Sequence, residues 1–178
     1  MIHILKPFDT EKNLGRAYNK AMSTIPDGDW ACLMDLDTMF LTPDAGIILN
    51  EYVNEYPKTG MFTCFANRIH PLSHHQLIGG KISENTNVEY HIELAYEQKL
   101  KTPKARVLNT LVSGFLMMIS KETWNEIKFD ESKKCLGVDN DYCAKLIQAK
   151  KSILRMDGLY VFHIYRLKNG INDKSHLL

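Results

Sequence analysis

Two aspartates, Asp35 and Asp37, follow directly on the apolar run Trp30 to Met34. A continuous apolar run of this length predicts a buried strand, so the two acids lie where that strand ends. In extended backbone both carboxylates point to the same side, and two like charges held together favour a cation between them. Mg²⁺ and Mn²⁺ take such oxygen ligands. The alternative interpretation is a solvated strand end whose acids belong to a turn or a helix cap.

The first half of the chain alternates between strand and helix patterns around this pair of acids. The predicted elements are a strand over Ile2 to Leu5, a helix between Thr10 and Pro26, the strand Trp30 to Met34, a helix from Thr42 to Tyr56 and a strand over Met61 to Ala66. This βαβαβ order predicts an α/β domain with a mostly parallel central sheet flanked by helices.

The second half continues less regularly after a polar segment, residues 67–87, which predicts a long binding loop or lid. The predicted helices are Val88 to Leu100, Lys121 to Ile127 and Asn140 to Lys150, and the predicted strands are Arg106 to Leu108, Gly114 to Ile119, Ile153 to Met156 and Leu159 to His163. Residues 164–178 predict a mobile tail, either a lid over the site or a frayed end. Because no linker or repeat interrupts the chain, residues 1–178 are predicted to form a single domain.

Composition and charge exclude several classes of partner. The chain has 178 residues, with 22 Lys+Arg against 21 Asp+Glu and a formal net charge of +1. Because positive and negative charges are nearly equal in number, the composition does not indicate a nucleic-acid-binding surface. No apolar run has the length of a signal peptide or a membrane span, which predicts a cytoplasmic protein with no transmembrane segment. The four cysteines form no C-x-x-C pair and are predicted to be reduced and mostly buried.

Several motifs, taken in order, resemble the GT-A fold glycosyltransferases. The segment Asn13 to Asn19, an apolar strand and then Asp35-Leu36-Asp37 resemble the helix, strand and D-x-D motif of family 2 and the galactosyltransferase-like enzymes. Ser113 to Leu116, Phe129-Asp130-Glu131 and Gly137 to Asp141 resemble the acceptor-side segment of the same enzymes. The resemblance covers most of the chain, and the set is more specific than any one motif.

The resemblance implies a divalent metal site. Asp37 matches the acid that binds the metal directly in this family, and Asp35 matches the acid that faces the donor ribose or reaches the metal through water. His163 matches the late histidine that completes the site in galactosyltransferase-like members. A carboxylate together with an imidazole suits Mn²⁺ better than carboxylates alone do, and Mg²⁺ is the second choice. The alternative for His163 is a strand-end histidine bonded to a backbone carbonyl.

The resemblance also implies a catalytic base. Asp139 occupies the position of the aspartate that acts as the general base in inverting members, although Val138 replaces the acid that usually precedes it. A helix beginning beside Asp139 is expected to lower the pKa of this carboxyl and keep it ionised. Helix capping by Asp139 or Asp141 is the alternative, and both roles can coexist.

Asn13, Arg16 and Asn19 are implied to line one side of the donor pocket. Arg16 is the expected phosphate contact, because a guanidinium matches phosphate with paired hydrogen bonds. The alternative is a solvent-facing polar stripe on an amphipathic helix. The first strands that hold the nucleotide base in this family have no counterpart here. Either residues 2–9 replace them, with Pro7-Phe8 flanking the base, or another chain completes the pocket in a homo-oligomer. Loss of activity is the third alternative.

The function implied by the resemblance is metal-dependent transfer of a sugar from a UDP- or GDP-sugar donor to a carbohydrate or other hydroxyl acceptor, by the inverting route. A non-catalytic carbohydrate- or nucleotide-binding module that keeps the GT-A shell is the first alternative. A nucleotidyltransferase is the second. It would also use paired acids and Mg²⁺, but the sequence contains no Gly-rich phosphate loop.

Overall fold

The apolar runs of the sequence form the strands of one sheet. The structure, a computed structural model, describes residues 1–165 apart from the side chains of Pro71 and Leu72. Its strands are β1 Ile2–Leu5, β2 Trp30–Met34, β3 Thr38–Phe40, β4 Met61–Ala66, β5 Ala105–Val107, β6 Leu116–Ser120 and β7 Ile153–His163. Their order is β1-β2-β6-β4-β7-β3, and β5 also pairs with β7. From residue 166 onward the predicted tail lies outside the described residues.

The sheet is mixed, so the prediction of a mostly parallel sheet is wrong, while the α/β architecture with flanking helices is confirmed. β1 with β2 and β4 with β7 are parallel. β6 runs antiparallel to β2 and β4, and β3 and β5 run antiparallel to β7. A parallel sheet needs a crossover between successive strands. Here β3 follows β2 through a short turn, and β6 follows β5 without an intervening helix.

Five helices in the described part of the chain flank the sheet. They are α1 Leu14–Ser23, α2 Ala45–Glu55, α3 Val88–Lys99, α4 Lys121–Glu126 and α5 Val138–Gln148, and the 3-10 turns Pro71–Gln76 and Ile78–Gly80 occupy part of the predicted loop. α1 begins later than the predicted Thr10, because Asp9 accepts hydrogen bonds from the backbone N–H groups of Glu11 and Asn13 and holds that stretch in a turn. Asn13 then caps the helix.

Apolar side chains cover both faces of the sheet. Trp30, Cys32 and Met34 of β2 belong to the core cluster that includes α2. Ala31 and Leu33 face the other way and join the cluster that includes α1 and α5. A strand buried on both faces has no polar alternation, which is why β2 is one uninterrupted apolar run in the sequence.

β7 and β3 differ from the predicted elements. β7 is a single strand of 11 residues, Ile153–His163, where two strands were predicted. Its pairing with β4 shifts register between Cys64 and Phe65, which keeps Asp157-Gly158 inside the strand. β3 was not predicted, because Thr38–Phe40 has only 3 residues and strand periodicity needs about four or more.

Gly15 and Gly46 are helical glycines in opposite surroundings, so alanine should act with opposite sign at the two sites. A Cβ at Gly15 would lie 2.4 Å from the carbonyl oxygen of Asp130, whereas a Cβ at Gly46 would have no neighbour within 4 Å. We expect Gly15→Ala to destabilise the fold by about 1–3 kcal/mol through overpacking. Gly46→Ala should stabilise it by about 0.5–1 kcal/mol, because alanine favours the helix. Urea unfolding measures both, and a Gly15→Ala protein as stable as wild type or more stable would contradict the packing of α1 on Asp130.

Candidate metal centre

A tight turn and one strand pairing bring Asp35, Asp37 and His163 together. The turn begins after β2 and is closed by a hydrogen bond from the Thr38 N–H to the Asp35 carbonyl (3.2 Å). β3 then pairs antiparallel with β7, which sets Thr38 opposite His163. The Ile164 N–H donates to the Asp37 carbonyl at 3.0 Å and extends this pairing to the second acid. The two acids at the end of β2 therefore meet the histidine at the end of β7.

The three side chains offer ligand atoms that lie within 4.8 Å of one another. Nε2 of His163 is 3.3 Å from Asp37 Oδ1 and 3.9 Å from Asp35 Oδ2. In an octahedral site with ligands about 2.1 Å from the metal, neighbouring ligand atoms lie about 3 Å apart and opposite ones about 4 Å apart. Both histidine–carboxylate distances fall in this range, and all three ligand atoms lie within 4.8 Å of one another, which makes the group a candidate site for one divalent cation.

His163 is oriented by its neighbours so that one ring nitrogen faces the acids. Its Nδ1 donates to the Arg68 carbonyl at 2.9 Å, and a carbonyl can only accept, so the proton is assigned to Nδ1. The backbone N–H of His163 donates to the Asn67 side-chain oxygen at 2.7 Å. Nε2 therefore faces Asp37, and a lone pair beside a carboxylate needs a proton or a metal ion between them. The carbonyl bond expected of a strand-end histidine is present and supports the ligand geometry.

The two acids of the centre differ in how readily they ionise. Burial raises the pKa of Asp35 to about 6 against the opposing charge of His163, and the charges of Asp37 and Asp139 add to the increase. Burial acts in the same direction on Asp37, but the hydrogen bond and the charge of His163 outweigh it and leave the pKa of Asp37 below its ordinary value. Unequal pKa values are expected where like charges share a site.

Asp139 lies in the first turn of α5 and is held by two backbone groups. Its Oδ2 accepts from the Gly114 N–H and its Oδ1 from the Asn140 N–H, both at 2.9 Å. Burial raises the pKa of Asp139 more than these hydrogen bonds lower it, so the expected lowering by the helix is wrong. The N-cap of α5 is Gly137, in the left-handed region at φ 80°, so neither Asp139 nor Asp141 occupies that position.

The segment Ser113 to Phe115 joins Asp139 to the candidate metal centre. Gly114 binds Asp139, the Phe115 carbonyl accepts from the Asp35 N–H at 3.0 Å, and the Phe115 ring stacks on His163 with centroids 5.3 Å apart. The buried Gln76 holds the segment by accepting from the Ser113 N–H at 2.7 Å and donating to its carbonyl at 3.1 Å. Sequence reasoning missed Gln76, because it lies in the polar segment and belongs to no motif.

Asn13 and Asn19 are occupied by contacts within the chain. Asn13 caps α1 and donates to the Glu131 carbonyl at 2.9 Å. Asn19 accepts from the Trp124 indole and from the Phe129 N–H, and it donates to the Phe129 carbonyl and to the Glu131 side chain. Both asparagines therefore fasten α1 to residues 129–131, which neither the donor-pocket interpretation nor the polar-stripe alternative predicted.

Arg16 is likewise paired within the chain. It donates to both oxygens of Asp9, at 2.7 and 2.9 Å, and to Glu11 at 2.8 Å. These contacts lower the pKa of Asp9 and occupy the paired N–H groups that a phosphate would use. Arg16 and Asn19 border an open depression of about 420 Å³, and the residues of the metal centre do not border it.

Three residues near the acids were not predicted from the sequence. Burial raises the pKa of Tyr18 and that of the half-buried Cys135, and the charges of Asp35 and Asp139 add to both shifts. Tyr18 has the spacing of a core residue of α1, and the sequence around Cys135 forms no motif. The third residue is Lys6, directly after β1, whose charge favours the ionised forms of Asp35 and Asp37.

Comparison with known proteins gives no functional assignment, so any assignment depends on the geometry of Asp35, Asp37 and His163. The sequence matches no known protein family, and no characterised protein is significantly similar to it. Among residues 1–165, none of the helices is both long and apolar enough to cross a membrane. All four cysteines are free, and all but Cys135 are buried, as predicted.

The raised pKa of Asp35 predicts how the stability of the metal-free protein depends on pH. The ordinary pKa of Asp35 is 3.8 and burial raises it to about 6, so between these values the folded state binds more protons than the unfolded state. The Asp35 contribution is therefore present below about pH 4 and is lost as the pH rises through about 6.

Urea unfolding in EDTA between pH 4 and 7.5 tests this dependence on wild type and Asp35→Asn. We expect the wild type to lose about 1–2 kcal/mol relative to the variant over that interval, because solvent screens a side chain that is 37% exposed. A difference that stays constant with pH would contradict the raised pKa.

Proposed function

We propose that this chain is a metal-dependent glycosyltransferase, a single GT-A-like domain that moves a sugar from a UDP- or GDP-sugar to an acceptor hydroxyl. The observation that carries the proposal is the orientation of His163, with Nδ1 bound to the Arg68 carbonyl and Nε2 facing Asp35 and Asp37. Metal-binding histidines are commonly fixed by such a carbonyl bond. We also propose a cytoplasmic location, which the free cysteines support because a reducing compartment keeps thiols unpaired.

Asp37 and His163 are the proposed direct ligands, and Asp35 is proposed to face the donor ribose or to reach the metal through water. A carboxylate with an imidazole suits Mn²⁺, with Mg²⁺ as the second choice. Such a cation, when bound, stabilises the negative charge of the leaving diphosphate. The chain's own contribution is orientation, because the turn after β2, the end of β7 and the Arg68 carbonyl hold the three side chains in place.

Asp139 is the proposed base. Burial raises its pKa towards neutral pH, which makes it a stronger proton acceptor than an ordinary carboxylate. The acceptor oxygen bonds to the anomeric carbon and passes its proton to Asp139. The bond between that carbon and the diphosphate oxygen breaks, and its electron pair stays on the diphosphate. Attack on the face opposite the leaving group inverts the configuration at the anomeric carbon.

A non-catalytic module that binds a nucleotide or a carbohydrate is the second candidate. The internal bonds of Asn13, Arg16 and Asn19 count against the donor pocket of a transferase, and within this second candidate they favour a carbohydrate over a nucleotide as the ligand. Under the first proposal, residues 2–9 or a second copy of the chain complete the nucleotide-base pocket. The two candidates differ at Asp139, because only a transferase needs a proton acceptor there.

Mn²⁺ and UDP or GDP should stabilise the protein more together than separately, because each supplies ligands or charge that the other lacks. Thermal unfolding with each ligand and with both measures this linkage. We expect a rise of about 2–4 °C per kcal/mol of linked binding free energy in wild type. Asp37→Asn should abolish the rise, while Asp27→Asn, a control at an exposed acid before β2, should keep it. Equal shifts in all three proteins would count against the centre.

Loss of Asp139 should slow sugar transfer much more than it weakens donor binding, since a base acts on the acceptor proton in the transition state. With a panel of UDP- and GDP-sugars, we expect Asp139→Asn to lower the transfer rate by about 100-fold or more. Nucleotide affinity should change little. Asp141→Asn is the matched control, since Asp141 lies in the same helical turn and pairs with Lys145 at 2.7 Å. If Asp139→Asn transfers sugar as fast as Asp141→Asn does, Asp139 is not the base and has only a structural role.

A further inference from the structure

Lys6 holds the turn that carries the acids of the metal centre. Its Nζ donates to the carbonyl of Thr38 at 2.5 Å and to that of Leu36 at 3.1 Å. An ammonium has three N–H donors, and these two carbonyls take two of them. The ammonium therefore lies beside the acids with donor capacity beyond its contacts to the turn.

The positive charge of Lys6 acts on both acids and is not paired with either one. Its side chain is exposed, and its charge acts on both Asp35 and Asp37. Within residues 1–165 no carboxylate forms an ion pair with it. Arg16, the cation that the sequence suggested for phosphate binding, is by contrast paired with Asp9 and Glu11. Of these two cations, Lys6 is the one left to meet an anion at the centre.

The charge balance of the candidate metal centre explains why a further cation is needed there. Two ionised carboxylates cancel the charge of one divalent cation, and a neutral imidazole adds none. A departing diphosphate gains negative charge as its bond to the sugar breaks, and that charge is stabilised by a fixed cation nearby. The ligand set alone therefore supplies no net positive charge to the leaving group.

We propose that Lys6 is a catalytic residue that binds the donor diphosphate through its third N–H group and stabilises it as the leaving group. This role rests on the proposed glycosyltransferase function. The electron pair of the broken carbon–oxygen bond stays on the diphosphate oxygen, and Lys6 keeps its proton throughout. The bonds to Leu36 and Thr38 place the ammonium, so the same side chain holds the turn and faces the donor.

The test compares two binding constants in Lys6→Met. Mn²⁺ alone, titrated by electron paramagnetic resonance, should bind about two- to fivefold more tightly, because a repelling charge is gone. UDP or GDP at saturating Mn²⁺, measured by calorimetry, should bind about tenfold more weakly, because a charge-assisted contact is lost. If Lys6 only held the turn, its removal would weaken the binding of both Mn²⁺ and the nucleotide. Tighter Mn²⁺ binding together with weaker nucleotide binding therefore identifies a contact between Lys6 and the diphosphate.

Two further variants keep the test decisive. Lys6→Arg retains the charge and the donors and should stay within about threefold of wild type in both constants. Lys58→Met removes another exposed lysine, from the turn before β4, and should change neither.

If Lys6→Met binds both Mn²⁺ and nucleotide more weakly, or if its nucleotide affinity is unchanged, the role of Lys6 is overturned and the proposed function still stands. A wild type that binds neither Mn²⁺ nor nucleotide overturns both.

Discussion

The antiparallel pairing of β3 with β7 is the constraint on which the candidate centre depends. It sets Thr38 opposite His163 and Asp37 next to Ile164, so two distant parts of the sequence meet within hydrogen-bonding distance. A slip of one residue would turn His163 to the other face of the sheet. The bond from His163 Nδ1 to the Arg68 carbonyl adds a second constraint, because it determines which ring nitrogen faces the acids.

The proposed metal and base positions share one short piece of backbone. Ser113 to Phe115 bonds Asp139 through Gly114 and bonds Asp35 through the Phe115 carbonyl. No side chain fits at Gly114, since a Cβ there would lie 2.8 Å from that of Asp139. Backbone atoms, which vary little in position, thus set the relation between the two acids. The Gln76 bonds to Ser113 extend this link to the segment after β4.

The sequence predicted those features that depend on local pattern. The apolar runs located β1, β2 and β4. The carboxylates of Asp35 and Asp37 lie together as predicted, but a tight turn brings them there and not the extended backbone on which that prediction rested. The antiparallel direction of β6 could not be predicted from the sequence, because strand periodicity is the same for parallel and antiparallel neighbours. The bonds of Asn19 to Phe129 and of Lys6 to Thr38 were also missed, since they join residues far apart in the chain and follow no spacing rule.

The position of β7 in the sheet has a consequence for how the protein is made. β7 lies between β4 and β3, yet among residues 1–165 it is the last strand in the sequence. While the ribosome is still synthesising β7, β4 has only its single register contact with β6, between Phe62 and Met118. Its other edge, six buried residues long in the finished fold, is then open to pairing with other chains. Until β7 is in place, this edge of β4 therefore lacks its parallel partner.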